Sequence, residues 1–262
     1  MHRPYEKPPG LTPEHGAQFQ DAAVVSAYRH REPYPEETFQ KLRELAGTPS
    51  PRIADIGCGP GDLTLPMSRF ARHIDAVDVS REMLAAAKRL GDYENINWIH
   101  GAAESAPLAG PYDLITAADS VHWMDWEALF ALLKGQLRPG GFFCVVGRWY
   151  EEREWWDREF QSIIDAHSTN KEFKKYNIIE ELEKSGYVKV EGSTKTQAMP
   201  FEQSVADLVE AFHSRNGFSR DRMGAGAALF DEAAKRHLEK FALNGRLRLH
   251  SVAHITWMTI NE

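Results

Sequence analysis

Hydrophobic positions change their spacing several times along this chain, and each change predicts an element. Arg52–Gly57 is a short apolar run that predicts a strand. Ile74–Val79, Asn95–His100, Tyr112–Ala117 and Phe142–Val146 repeat that signature. Between them, apolar residues recur every three or four positions and predict helices. These are Asp62–Arg72, the alanine-rich Glu82–Leu90, and a helix through Trp126, Leu129, Phe130, Leu133 and Leu137. Arg138-Pro139-Gly140-Gly141 is expected to stop that last helix. Strands alternating with helices predict an α/β fold with a parallel sheet and right-handed crossovers. In such sheets ligands sit outside the carboxyl ends of the strands.

The flanks follow other patterns. Residues 1–13 carry four prolines and predict an irregular tail. Helices are expected at Phe19–Tyr28 and Glu36–Ala46, separated by the turn-rich Arg31-Glu32-Pro33-Tyr34-Pro35. After Val146 the alternation gives way to a stretch crowded with Trp149, Tyr150, Trp155 and Trp156. Helices are then predicted at Glu154–His167 and Ile178–Ser185, with Gly186 as C-cap, followed by a strand at Tyr187–Thr196. Ser204–Ser214 and Leu229–Phe241 predict helices, and Arg246–Ile260 is β-prone.

Composition narrows the class. Of 262 residues, 42% are hydrophobic and 26% charged, which supports a packed core. A net charge of −7 argues against nucleic acid as the main partner, since phosphate binding needs a concentrated basic surface. The two cysteines, Cys58 and Cys144, fall in expected core segments, so a reducing cytoplasm is expected and a disulfide framework is not. No CxxC or HExxH spacing suggests a metal, and no apolar run suggests a membrane span or signal peptide. His213, His250 and His254 are expected to be structural or surface groups.

The candidate chemistry gathers at the strand ends. In Asp55-Ile56-Gly57-Cys58-Gly59-Pro60-Gly61 a strand ends in an acid and a glycine turn, with a helix predicted to follow. Bare N–H groups at that helix start would hold the anionic part of a ligand. Asp62 stands where a dinucleotide-binding turn needs a small residue, which turns the pattern away from dinucleotides. Asp78, 21 residues after Gly57, can accept from both hydroxyls of a ribose or cap the next helix. Gly101-Ala102-Ala103-Glu104 follows strand three, and Asp119-Ser120-Val121-His122-Trp123 follows strand four, facing the same cleft.

Together these motifs resemble the class I S-adenosylmethionine-dependent methyltransferases of the small-molecule, type 11-like kind. The resemblance rests on D-x-G-C-G-x-G at 55–61, Asp78-Val79-Ser80 with Met83-Leu84, Gly101 with Ala103-Glu104, and Leu137-Arg138-Pro139-Gly140-Gly141. Phe19, Tyr28, Arg31-Glu32-Pro33-Tyr34-Pro35 and His122-Trp123-Met124-Asp125 resemble the trans-aconitate methyltransferase branch. Three features depart from it: Glu32 in the usual R-P-x-Y-P, Ala102 in place of an acid near the adenine, and the long aromatic region after strand five.

The resemblance implies a Rossmann-like sheet of seven strands in order 3-2-1-4-5-7-6, the last antiparallel. One methyltransferase domain would cover 1–262, with an N-terminal helical lid at 1–46 and helical cap insertions at 149–180 and 197–243. It implies S-adenosyl-L-methionine as cofactor, with S-adenosyl-L-homocysteine as product. The cofactor would be held by Tyr28, Arg31, Asp55, Gly57, Cys58, Gly59, Gly61, Asp78, Val79, Met83, Ala103, Glu104, Asp119 and Trp123. Phe19, Tyr34, His122, Trp123, Trp149, Tyr150 and Arg215 would meet the methyl acceptor, with Arg215 available to a carboxylate. His122 is the candidate general base, against a role hydrogen-bonding within its own loop. Asp119 either binds a polar substrate group or caps the next helix. The implied activity is in-line methyl transfer to a small aromatic, heterocyclic or carboxylic acid molecule, by a monomer or homodimer. The alternative is a cofactor-binding sensor, or a catalyst of another reaction on the same scaffold.

Overall fold

In the computed structural model, which describes residues 5–9, 11, 16–151, 154–171 and 174–261, a single mixed sheet organises the chain. Strands β1 (Arg52–Ile56), β2 (His73–Asp78), β3 (Ile96–His100), β4 (Tyr112–Ala118) and β5 (Leu137–Glu151) run parallel in the order β3-β2-β1-β4-β5. Beyond β5 lies the antiparallel final strand β8 (Arg246–Ile260), and beyond that β6 (Val188–Lys195). With Arg246–Ile260 counted seventh, this is the expected order with its antiparallel last strand.

The structure adds a strand that the sequence pattern does not announce, β7 (Met199–Ser204). Its cause is the length of β8. Paired to β6 only from His254 onward, β8 would leave its first half with an unpaired edge. β7 covers that edge in register Met199↔Ser251 to Ser204↔Arg246. Thr196 bridges the two edge strands, its N–H donating to Ala253 O at 2.9 Å and its hydroxyl accepting from Ala253 N at 3.0 Å.

Two other expectations are corrected. Helix α5 (Trp126–Leu133) ends at Lys134, before Gly135 at φ +77°, so Arg138–Gly141 does not stop it. Those residues instead begin β5, where Leu137 pairs with Tyr112 across a bulge. The helix expected over Asp62–Arg72 is only the four-residue α3 (Thr64–Met67), in a segment where Pro66 supplies no N–H. The first predicted helix is broken by extended Asp21 into a 3₁₀ turn, Ala17–Gln20, and α1 (Ala22–Tyr28). Helix α2 (Glu36–Ala46) has the predicted limits. Helix α4 (Arg81–Lys88) starts at the Ser80 hydroxyl, which accepts from Met83 N.

Apolar side chains cover both faces of the sheet, with Ile53, Ile74, Leu114 and Val146 in one cluster and Ile56, Ile115, Phe130 and Phe143 in another. A third cluster forms where β5 and β8 run on past the central strands. Tyr150, Trp155, Phe160, Phe212, Phe230, Leu247 and Leu249 pack there. Around it stand α6 (Arg158–His167), α8 (Val205–His213) and α9 (Gly226–Leu238), while α7 (Ile178–Ser185) packs back on β6. Phe160, Phe212 and Phe230 are each buried essentially completely, worth roughly 1.5–3 kcal/mol apiece. The cap thus has a core of its own. Polar contacts tie the lid to it: Arg31 donates to Ser214, Arg215 pairs with Glu32, and Gln203 donates to His30 O.

Candidate functional site

The glycine turn after β1 is held from inside. Gly57, Gly59 and Gly61 all take positive φ, at 68°, 55° and 89°. A Cβ on Gly57 would stand 2.4 Å from Ser120 Cβ, whereas Gly59 faces open space, with nothing within 4 Å. The N–H groups expected to be bare are occupied. Those of Gly57 and Cys58 donate to Val77 O, that of Gly59 to Asp78 Oδ2 at 2.7 Å, and that of Gly61 to Cys58 O. With only four helical residues following, the turn is not an anion cradle. Its contribution is shape: bare backbone that a ligand can approach closely.

Asp78 sits at the end of β2. Its Oδ1 accepts from Ser80 N at 2.8 Å, and its Oδ2 from Gly59 N. Burial raises its pKa against those two donors. Each oxygen keeps a further acceptor site, and the residue lines the cleft. Asp55 lies deeper, fully buried, accepting from Thr64 Oγ1 at 2.5 Å and Thr116 Oγ1 at 2.8 Å. Burial lifts its pKa to about 6 despite those hydroxyls. It is not in the cleft wall, and it braces the start of α3 against β4.

The cleft, of about 230 Å³, is lined by Gly57, Gly59, Asp78, Val79, Met83, Ala103, Glu104, Asp119 and Trp123, with Phe19 and Tyr28 from the lid. Gly16, Ala17, Gln20, Ser120 and Met124 also line it. Gly16 and Ala17 fall between the proline-rich tail and the first predicted helix and Gln20 within that helix, and none of the three carries a motif. Glu104 is partly spent, accepting from Asp125 N at 2.6 Å. Cys58 and Gly61 lie outside the wall: burial pushes the Cys58 thiol up, and Gly61 packs on Leu65 and Trp98. Arg31 also lies outside it, stacked 4.0 Å over the Tyr28 ring and donating to the Tyr28 hydroxyl. The fit to a nucleoside-bearing ligand is direct. There is a carboxylate with acceptor sites to spare, an apolar slot between Val79, Met83 and Ala103, and the buried Trp123 Nε1, which has no partner among the described residues.

A second cavity of about 620 Å³ adjoins the first, and Asp119 and Ser120 line both. Its wall holds four rings in two pairs: His122 is 6.2 Å from Tyr176, and Trp149 is 6.2 Å from His254. Tyr176 carries no motif, and His254, expected to be a structural or surface group, lines this cavity. Burial and the charges of Lys7 and Arg31 lower the His122 pKa to about 3. The ring therefore stays neutral but is a weak proton acceptor, far from the range a general base needs.

The other expected acceptor contacts point elsewhere. Tyr150 is 2% exposed in the cap core. Tyr34 lies beneath the Arg148 guanidinium, 4.4 Å away, and packs on Phe39. Arg215 spends its guanidinium on both oxygens of buried Glu32, at 2.9 and 3.1 Å. Among the described residues one possible ion-binding group exists, Asp157, Glu159 and His237 in the cap, and there Lys240 already holds both Glu159 oxygens at 2.8 Å.

The family of methyltransferase domains matches residues 53–141, which run from β1 to the start of β5. The chain has the class I methyltransferase fold. An uncharacterized methyltransferase of Staphylococcus carnosus is 28% identical over 155 residues, 58% of this chain and 70% of that protein. Trans-aconitate 2-methyltransferase of Azoarcus sp. is 34% identical over 104 residues, 38% of this chain and 40% of that protein. The cap lies outside residues 53–141 of the family match, and the chain spans less than half of the length of the trans-aconitate relative. A methyltransferase from Thiobacillus denitrificans, solved with S-adenosyl-L-homocysteine, shares the fold with a TM-score of 0.51 and 16% identity, over 91% of this chain and 97% of that one. Among the described residues, no helix of this domain is long and apolar enough to cross a membrane.

Proposed function

We propose that this protein is an S-adenosylmethionine-dependent methyltransferase whose acceptor, a small molecule, occupies the second cavity. The observation that carries this reading is the meeting of two cavities at Asp119 and Ser120. One is built for a nucleoside and the other is walled by rings. The cofactor, when bound, supplies an electrophilic methyl group on a sulfonium. Asp78 accepts from the ribose hydroxyls, the Val79, Met83 and Ala103 slot takes the base, and Gly57 and Gly59 allow close approach of the remainder. Phe19 and Tyr28 close the lid side and exclude water. Placing acceptor and methyl group in adjoining compartments is the main source of rate, since fixed orientation alone can supply roughly 7–11 kcal/mol.

The test is isotopic. Protein with methyl-labelled cofactor and a panel of small acceptors should form a labelled product together with S-adenosyl-L-homocysteine. Tight binding of S-adenosyl-L-homocysteine by calorimetry, with no transfer across the panel, would instead point to a sensor. Failure to bind it at all would remove the reading.

A further inference from the structure

Asp119 is the one strained residue at the junction. Its φ is +49°, a region that few residues other than glycine, asparagine and aspartate enter. Its N–H donates to Val146 O, which anchors the loop to β5. Its carboxylate makes no hydrogen bond or ion pair among the described residues. Gly147 on β5 lies beside it, at a range where a Cβ would stand in ordinary contact, 3.6 Å from Asp119 Oδ1. The neighbouring arginines are bound elsewhere: Arg31 to Ser214 and Tyr28, Arg148 to Asp62 at 2.5 Å, and Arg215 to Glu32.

From this arrangement, and resting on the function proposed above, we infer that Asp119 is the base that receives the acceptor's proton. The acceptor is then a flat aromatic molecule whose nucleophile arrives as a neutral hydroxyl or amine, and not as a carboxylate. An acceptor O–H or N–H donates to the free carboxylate from the second cavity, while its ring lies among His122, Tyr176, Trp149 and His254. The heteroatom's pair forms the bond to the methyl carbon. The carbon–sulfur pair stays on the sulfur, and the proton passes to an Asp119 oxygen. A carboxylate nucleophile would meet this acid head-on, and Arg215, which could have welcomed it, is committed to Glu32. His122 is too weak a base for the task.

Charged and titratable groups around Asp119 come from every side: Tyr28, Arg31, Glu32 and Tyr34 from the lid, Arg148 from β5, Arg215 from the cap, and Tyr176 and His122 from the cavity wall. Burial raises its pKa, and the three arginines oppose that. The rate should therefore rise with pH as the carboxylate ionises.

The test uses three probes with one ring system: 2-naphthol, 2-naphthylamine and 2-naphthoate. Binding to full-length protein loaded with S-adenosyl-L-homocysteine is read by saturation-transfer NMR. Methyl transfer is read separately with labelled cofactor. The naphthol and the amine should bind at least tenfold tighter than the acid. Asp119→Asn, which suits the same backbone conformation, should bring the three within about twofold of one another. It should also lower kcat/KM for the naphthol by roughly a hundredfold and abolish the rising pH limb. Asp119→Gly, free of backbone strain, should behave alike. Equal binding of the acid by the unaltered protein, binding of none of the three, or an unchanged preference in both variants would overturn the inference. Calorimetry with S-adenosyl-L-homocysteine separates the cases, since intact cofactor binding leaves the methyltransferase reading standing when this one falls.

Discussion

Asp78→Ala tests the cofactor cleft and the fold at once, because the same two oxygens serve both. The carboxylate accepts from Gly59 N at 2.7 Å and Ser80 N at 2.8 Å, so its removal leaves two backbone donors unpaired, the second of them buried. Hydrogen bonds to a charged group are worth about 1.5–3 kcal/mol each. Burial of the charge, visible in the raised pKa, offsets part of that. The net loss of stability is expected at about 2–4 kcal/mol. Binding suffers separately: two ribose hydroxyls lose a charged acceptor, about 3 kcal/mol at the low end, or roughly a hundredfold in Kd. Urea unfolding measures the first effect, and calorimetry with S-adenosyl-L-homocysteine, well below the unfolding midpoint, measures the second. Asp78→Asn keeps one acceptor oxygen and should fall between wild type and alanine in both. A folded Asp78→Ala protein binding within threefold of wild type would refute the assignment.

Gly57→Ala and Gly59→Ala should separate packing from ligand approach. The first drives a Cβ to 2.4 Å from Ser120 at positive φ and should cost more than 3 kcal/mol in thermal unfolding; the second meets open space and should cost only about 1–2 kcal/mol, with cofactor affinity falling. Asp55, with a folded pKa of about 6 against a usual value of 3.8, favours folding below pH 4 and loses that contribution as pH rises through 6. The loss is about 3 kcal/mol, and Asp55→Asn should flatten this part of the stability–pH curve in urea titrations. Glu32→Gln leaves the Arg215 guanidinium short of a counter-charge. With that side chain 32% exposed, the cost should be about 1–3 kcal/mol, seen as faster hydrogen exchange in α1. Unchanged exchange there would show that the ion pair does not hold the lid.

The central sheet was legible because its information is local. Each strand from Arg52 to Val146 is an apolar run bounded by its own turn, and the glycines of 57–61 need the left-handed backbone that the structure displays. Boundaries failed where a partner strand decided them. β5 runs on to Glu151 because β8 pairs with it that far, and β7 exists because β8 needs a second neighbour. The cleft residues Asp78, Ala103 and Trp123 stood at or just after strand ends and could be found by position, while Val79 and Met83 came from the family resemblance. Tyr150 and Arg215 could not be judged in that way. An aromatic or an arginine outside a motif shows neither what it packs on nor which acid it meets.

By itself, then, the sequence determined the alternation of strands and helices, the glycine turn and the acid at the end of β2, since periodicity and backbone freedom are written residue by residue. Only the tertiary structure decided that the turn's N–H groups are satisfied internally, that Arg215 serves Glu32, and that Asp119, unpaired among the described residues, stands where two cavities join. Those outcomes depend on which distant groups compete for the same donor or charge, and that competition is settled only when the chain closes on itself.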